Sequence, residues 1–305
     1  MLQFEPSDAE DFEVAGEDGP GQVGGAGGLG YWAPVVATAR SPRPVAPPPP
    51  RSGLMLAAVL TALLVVAGSV MTVAVQRAQA SVTGEVFAIS DPAAASDGWG
   101  PTYVDGQGRP ARWDPCVPIH YVVQPGWIPD AGRADLAEAL TRLSAASGLQ
   151  FVDDGDTSEV PSTDRAAYQP DRYGERWAPL LIGWVPAGAT DLGIGSGAQG
   201  LSLSVALPAR GGPSIVTGQV VLDASNRLAA GFGPGTTDGE VLLHELAHAV
   251  GLGHVLDATQ VMYPQTTNGE SQFGAGDRAG LAAVGAAAGC HPAPRARALR
   301  LAAGR

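Results

Sequence analysis

Apolar and polar positions follow three different patterns along the 305-residue chain. Residues 1–53 have no period. Acidic positions (Glu5, Asp8, Glu10, Asp11, Glu13, Glu17, Asp18) give way to "GQVGGAGGLG" and then to "SPRPVAPPPPR". A segment with so few large apolar side chains reads as a disordered, acidic and Pro-rich tail or spacer. Residues 54–76 read as a transmembrane segment: an apolar run from Leu54 to Val75 without a charge from Ser52 to Gln76. As a helix the run spans roughly 33 Å, enough to cross the hydrocarbon core of a bilayer. Residues 77–98 read as a stalk. From Trp99 to His291 the texture becomes that of one globular domain, and residues 292–305 form a basic tail read as disordered.

Within 99–291 the periods define elements. Asp105-Gly106, flanked by short strand-like pieces over 103–113, signals a hairpin. Residues 118–123 read as a strand. Leu136, Ala139, Leu140 and Leu143 then recur at helical spacing until Gly148. "LQFV", "APLLIGWV", "LSLSVALP" and "GQVVLDA" read as four more strands, the second apolar enough to be central. A helix begins near Thr237 and a last one lies over 273–289. The order predicts an α/β domain.

Charge adds three points. The net charge of −12, with no nucleic-acid-reading motif, argues against nucleic acid as a partner. All 18 basic residues are Arg, which, with the Ala, Gly and Pro excess, reads as coding bias. Arg40, Arg43 and Arg51 precede the apolar run while Arg77 alone follows closely, so the N-terminus is expected in the cytoplasm and residues 77–305 outside. This predicts a single-pass cell-membrane protein. The alternative is a cleaved signal, because "AQA" at 78–80 has the form of a cleavage site, and cleavage after Ala80 would release a secreted domain.

The candidate chemistry lies in "HELAHAVGLGHVLDATQVMYP", residues 244–264. Thr237 and Glu240 have capping-box spacing. At about 100° per residue His244 and His248 fall on one face, one turn apart, with Glu245 on the shoulder. Leu242, Leu243, Leu246, Ala249 and Val250 fall on the opposite arc and give the helix a side to bury. Gly251 can end the helix in a left-handed turn and return His254 as a third ligand. Three neutral imidazoles on Zn²⁺ leave a coordination position open, as catalytic rather than structural zinc sites do. Glu245 is then placed as the general base for water activated by the metal. Core histidines satisfied by hydrogen bonds are the plainer reading of a bare H-E-x-x-H, but the extended H-E-x-x-H-x-x-G-x-x-H with a following Met is far more specific.

These residues resemble the metzincin zinc endopeptidases, in their matrixin (matrix metalloprotease-like) branch. The resemblance rests on "HELAHAVGLGH" and on "MYP" at 262–264, and extends more weakly over 101–291. It implies a twisted, mostly parallel five-stranded sheet whose antiparallel edge strand would pair with an extended substrate through Leu201–Leu207. It also implies an active-site helix and a C-terminal helix beginning near Asp277, and a Met-turn at Met262 beneath the zinc. Pro264 stands where other branches carry a tyrosine. Departures are visible too. His120 is the only histidine before the active-site helix that could serve the family's structural zinc, so that zinc is expected to be absent. Thr266 replaces a tyrosine common after the Met-turn, so the S1′ specificity does not follow from the resemblance. Asp257 is expected to order the loop after His254, and Asp277 to sit at a helix end without a catalytic part. "DDGD" (153–156) offers Ca²⁺ ligands, an acidic surface turn being the plainer alternative.

Cys116 and Cys290 bracket the domain. A disulfide between them suits an extracytoplasmic setting, while the rival makes Cys116 a zinc-blocking thiol. The expected function is zinc-dependent hydrolysis of extracytoplasmic proteins or peptides, cell-wall peptides among them. The alternative is a surface binding module in which zinc is structural. His291 has no partner visible in the sequence.

Overall fold

The computed structural model describes residues 88–89, 98–195, 197–265 and 271–296. The apolar run 54–76, the acidic tail, most of the stalk, Thr266 and residues 297–305 lie outside the described residues. Among the described residues no helix is long and apolar enough to cross a membrane.

A mixed α/β architecture is built on a five-stranded sheet of order β4-β3-β5-β7-β6. The strands are β3 (Ile119–Gln124), β4 (Phe151–Asp156), β5 (Leu180–Val185), β6 (Gly200–Ala209) and β7 (Gly212–Asp223). The β4-β3, β3-β5 and β5-β7 pairs are parallel, and β6 closes one edge antiparallel to β7. β1 (Ala88–Ile89), in the expected stalk, pairs with β2 (Tyr103–Val104), the start of the expected hairpin. The Asp105 carboxylate accepts from the Gln107 and Arg109 N–H groups, which closes that turn. Every residue of β5 is buried. A central parallel strand is covered on both faces, which is why its sequence is a continuous apolar run.

The helices are α1 (Gly132–Ser147), the short α2 (Pro170–Tyr173), α3 (Asp238–Ala249) and α4 (Ala275–Val284). α1 ends where Gly148 adopts φ 71° and its N–H bonds the Ser144 carbonyl. Leu136, Leu140 and Leu143 of α1, Leu242, Leu243 and Leu246 of α3 and Leu281 of α4 share one core with Ile119, Ile182 and Leu222 of the sheet. Val185 and Val221 face the other way, onto Leu192 and Ile194. The helices thus cover one face and a loop the other.

Two local differences from the pattern have physical causes. "DDGD" belongs to β4 rather than to a turn, because Val152, Asp153 and Asp156 pair with β3, and its acids have partners. Asp154 meets His120 Nδ1 at 2.8 Å and Arg176 at 2.7 Å, and Asp156 meets Arg133 at 2.6 Å. Residues 292–296 of the expected basic tail pack back on the domain, where the Trp177 indole donates to the Pro294 carbonyl and Ala296 is buried.

Cys116 and Cys290 form the disulfide, with Cα atoms 5.3 Å apart across 174 residues of sequence. Neither cysteine is left as a thiol. His291 beside it is buried, donating its N–H to Asp114 and placing Nε2 3.0 Å from the Pro213 carbonyl. A residue without visible partners in sequence therefore pins the chain end next to the disulfide.

Candidate metal centre

The helix carrying the candidate residues begins at Thr237, whose hydroxyl accepts from the Glu240 N–H at 3.2 Å. Eleven of its residues are buried and His248 alone is partly open. The apolar arc opposite the histidines predicts one buried side. Instead α3 is enclosed nearly all round, with His244 1% and Glu245 2% exposed. Packing against α1 on one side and β6–β7 on the other accounts for this.

The helix ends as the glycine suggests. Gly251 has φ 116°, and its N–H bonds the His248 carbonyl at 3.0 Å. A Cβ there would also lie 2.6 Å from the Ala111 carbonyl, so conformation and space both demand glycine. The reversed chain is held by Thr102 N–H to Gly251 O and Gly253 N–H to Gly100 O, each 2.7 Å. The turn returns His254 to α3.

Its Nε2 lies 3.2 Å from His244 Nε2 and 3.1 Å from His248 Nε2. The far nitrogens fix the tautomers of two rings. His244 Nδ1–H donates to the Val261 carbonyl at 2.6 Å, and His248 Nδ1–H to the Leu252 carbonyl at 2.7 Å. Both Nε2 atoms therefore present lone pairs to the point they share with His254. Burial, with the neighbouring imidazoles, pushes His244 well below the usual histidine range. Burial takes His248 down to about 4, and burial with His248 nearby takes His254 down to about 3. Three neutral nitrogen donors this close fit a four-coordinate zinc ion, for which bond lengths near 2.0–2.1 Å imply donor spacings of about 3.4 Å.

Glu245 points to the start of the edge strand. A Cβ placed on Gly200 would stand 2.6 Å from Glu245 Cγ and 2.7 Å from Oε1. Glu245 Oε2 is buried without a hydrogen-bond partner among the described residues. Burial pushes this carboxyl well above the usual range. Met262 is 1% exposed, and its carbonyl accepts from Val255 N–H at 3.0 Å, next to His254. Asp257 accepts from Thr259 N–H and from Gln260 Nε2, so it does order the loop between His254 and Met262.

Asp277 is more than a helix-end residue. Its carboxylate accepts from Val261 N–H at 2.7 Å, Met262 N–H at 3.3 Å and Gly274 N–H at 2.9 Å. Val261 in turn holds His244, so Asp277 is one step removed from the imidazole cluster. Burial raises this carboxyl, and the three N–H bonds oppose the rise. Sequence offered only its place at the start of the last helix. A groove of about 610 Å³ lies elsewhere, between Trp113, Trp177 and residues 292–296, and none of His244, Glu245, His248, His254 and Met262 lines it. No protein-family model and no characterised protein matches the chain.

Proposed function

We propose that the chain is a zinc-dependent endopeptidase of metzincin type, matrixin-like, acting on extracytoplasmic proteins or peptides. The convergence of three Nε2 atoms, two of them with Nδ1–H anchored on backbone carbonyls, carries this reading. His244, His248 and His254 would hold the ion. Zinc bound there supplies a Lewis acid that polarises the scissile carbonyl and lowers the pKa of water. The Val261 and Leu252 carbonyls orient two of the rings and keep their protons on Nδ1. The Glu245 carboxylate takes a proton from the attacking water as its oxygen adds to the carbonyl carbon. It returns that proton to the amide nitrogen as the C–N bond breaks. β6 has no strand beyond it among the described residues, so an extended substrate could add there as a further strand, its main chain fixed by ladder hydrogen bonds. The 54–76 run would anchor the domain outside the membrane, and the Cys116–Cys290 disulfide supports an oxidising compartment.

The test is Glu245→Gln in the purified chain, beside wild type, against a peptide library with zinc quantified in both. Equal zinc with hydrolysis only by wild type is expected. Zinc in both and hydrolysis in neither would overturn the peptidase in favour of a binding module with structural zinc.

A further inference from the structure

A second cavity, of about 540 Å³, opens at the carboxyl ends of β5 and β7 and has no part in the reading above. Ligand crevices of open α/β sheets lie at this edge. Two tryptophans, Trp127 and Trp184, three carboxylates, Asp130, Asp223 and Asp238, and one guanidinium, Arg227, are among its walls. Two of these groups are unsatisfied. Trp184 Nε1 is buried without an acceptor among the described residues. Asp238 is 8% exposed at the first turn of α3, and no hydrogen-bond or ion-pair partner approaches its carboxylate among the described residues.

A buried carboxylate without a partner is costly. The helix N-terminus offsets part of that cost, but Asp135 on α1 adds a like charge. Burial and Asp135 together push Asp238 up to about 6. The cavity therefore lacks a positive group at Asp238. Trp127, 43% exposed, stands in the wall as an open aromatic surface. A carboxylate beside an exposed indole face forms the kind of surroundings that bind organic cations.

We infer that this cavity binds an alkylammonium group, with Asp238 as its counter-ion and the exposed Trp127 indole against its stem. A divalent metal ion fits less well. It would want six or more oxygens, and no acidic cluster in this cavity brings three ligand atoms within the 4.8 Å that the histidines meet. The chain contains no lysine, so no lysine side chain of a second copy can supply the group. The same group comes on a free amine or on the lysine side chain of another peptide.

The experiment is calorimetric titration of the full chain, zinc-loaded, with three probes: Nα-acetyl-lysine methylamide, 1,5-diaminopentane and the uncharged Nα-acetyl-norleucine methylamide. At least one amine is expected to saturate while the norleucine compound does not. Asp238→Asn is expected to weaken binding about tenfold or more, consistent with loss of a charged hydrogen-bonding partner. Trp127→Ala, at an exposed position, should weaken it about fivefold and serves if the Asn variant fails to fold. Saturation by the lysine compound alone assigns a peptide source, and by the diamine alone a free amine. Binding that survives both substitutions, or no saturation by either amine, overturns the inference. So does calcium binding that Asp238→Asn abolishes when neither amine binds.

Discussion

Gly200 and Glu245 touch where the edge strand begins, the bare Cα of the one leaving room for the carboxylate stem of the other. Gly200 also pairs with Leu222 on β7, so the strand cannot simply withdraw. A methyl at 200 must push Glu245 off its place, and a displacement near 1 Å can cost about 10²-fold in rate. Gly200→Ala is therefore expected to lower kcat by about 10- to 100-fold with the zinc content unchanged. Unchanged kcat would mean that the position of Glu245 is not set by this contact.

Asp277 anchors the turn that anchors His244. Asp277→Ala strands the Val261, Met262 and Gly274 N–H groups in buried surroundings, a loss of about 2–4 kcal/mol of stability. Groups behind metal-ligating histidines typically change metal affinity by about 10- to 100-fold. Chelator competition and a thermal melt would measure both. A variant that melts early yet keeps its zinc affinity would confine Asp277 to stability.

Local signals made much of this site legible. The spacing of His244, His248 and Gly251 reflects helix pitch and a glycine turn, and both are properties of short sequence. The central strand β5 was legible as a continuous apolar run. Asp277 and Gly200 were not, because each acts across the fold on a residue far away in sequence. The burial of α3 on its remaining sides is not local either. A helical wheel shows which side is most apolar, but not that β6 and α1 enclose the remaining sides. "DDGD" is a strand because it pairs with β3, about thirty residues earlier, a long-range contact that no local pattern reveals.

The disulfide yields a third prediction. By loop entropy, a bridge spanning 174 residues contributes about 5 kcal/mol at most, and strain or residual structure reduces it. Reduction, or Cys116→Ser with Cys290→Ser, should lower the melting temperature while leaving hydrolysis intact below the transition. A rise in activity on reduction would instead restore Cys116 as a blocking thiol.

The last prediction concerns acid. Glu159 and Arg165 form a buried pair, 3.0 Å between Oε1 and Nε, with Tyr173 donating to Glu159 Oε2 at 2.6 Å. Arg165 also bonds the Thr217 hydroxyl and the Gly218 and Pro179 carbonyls, which ties this loop to β5 and β7. Burial alone would raise the Glu159 carboxyl, but the bonds from Arg165, Tyr173 and Gln169 outweigh it and hold the group below its ordinary value of 4.5. A folded-state pKa below the unfolded one gives stability that is complete above about pH 4.5 and disappears as pH falls through the lower value. Glu159→Gln should cost about 3–5 kcal/mol near neutral pH, because it leaves Arg165 buried and unpaired. The gap between wild type and variant should then narrow as pH falls below 4.5, measured by denaturant melts down through the acid range. Parallel curves would show that the acid sensitivity of the fold lies in other carboxylates.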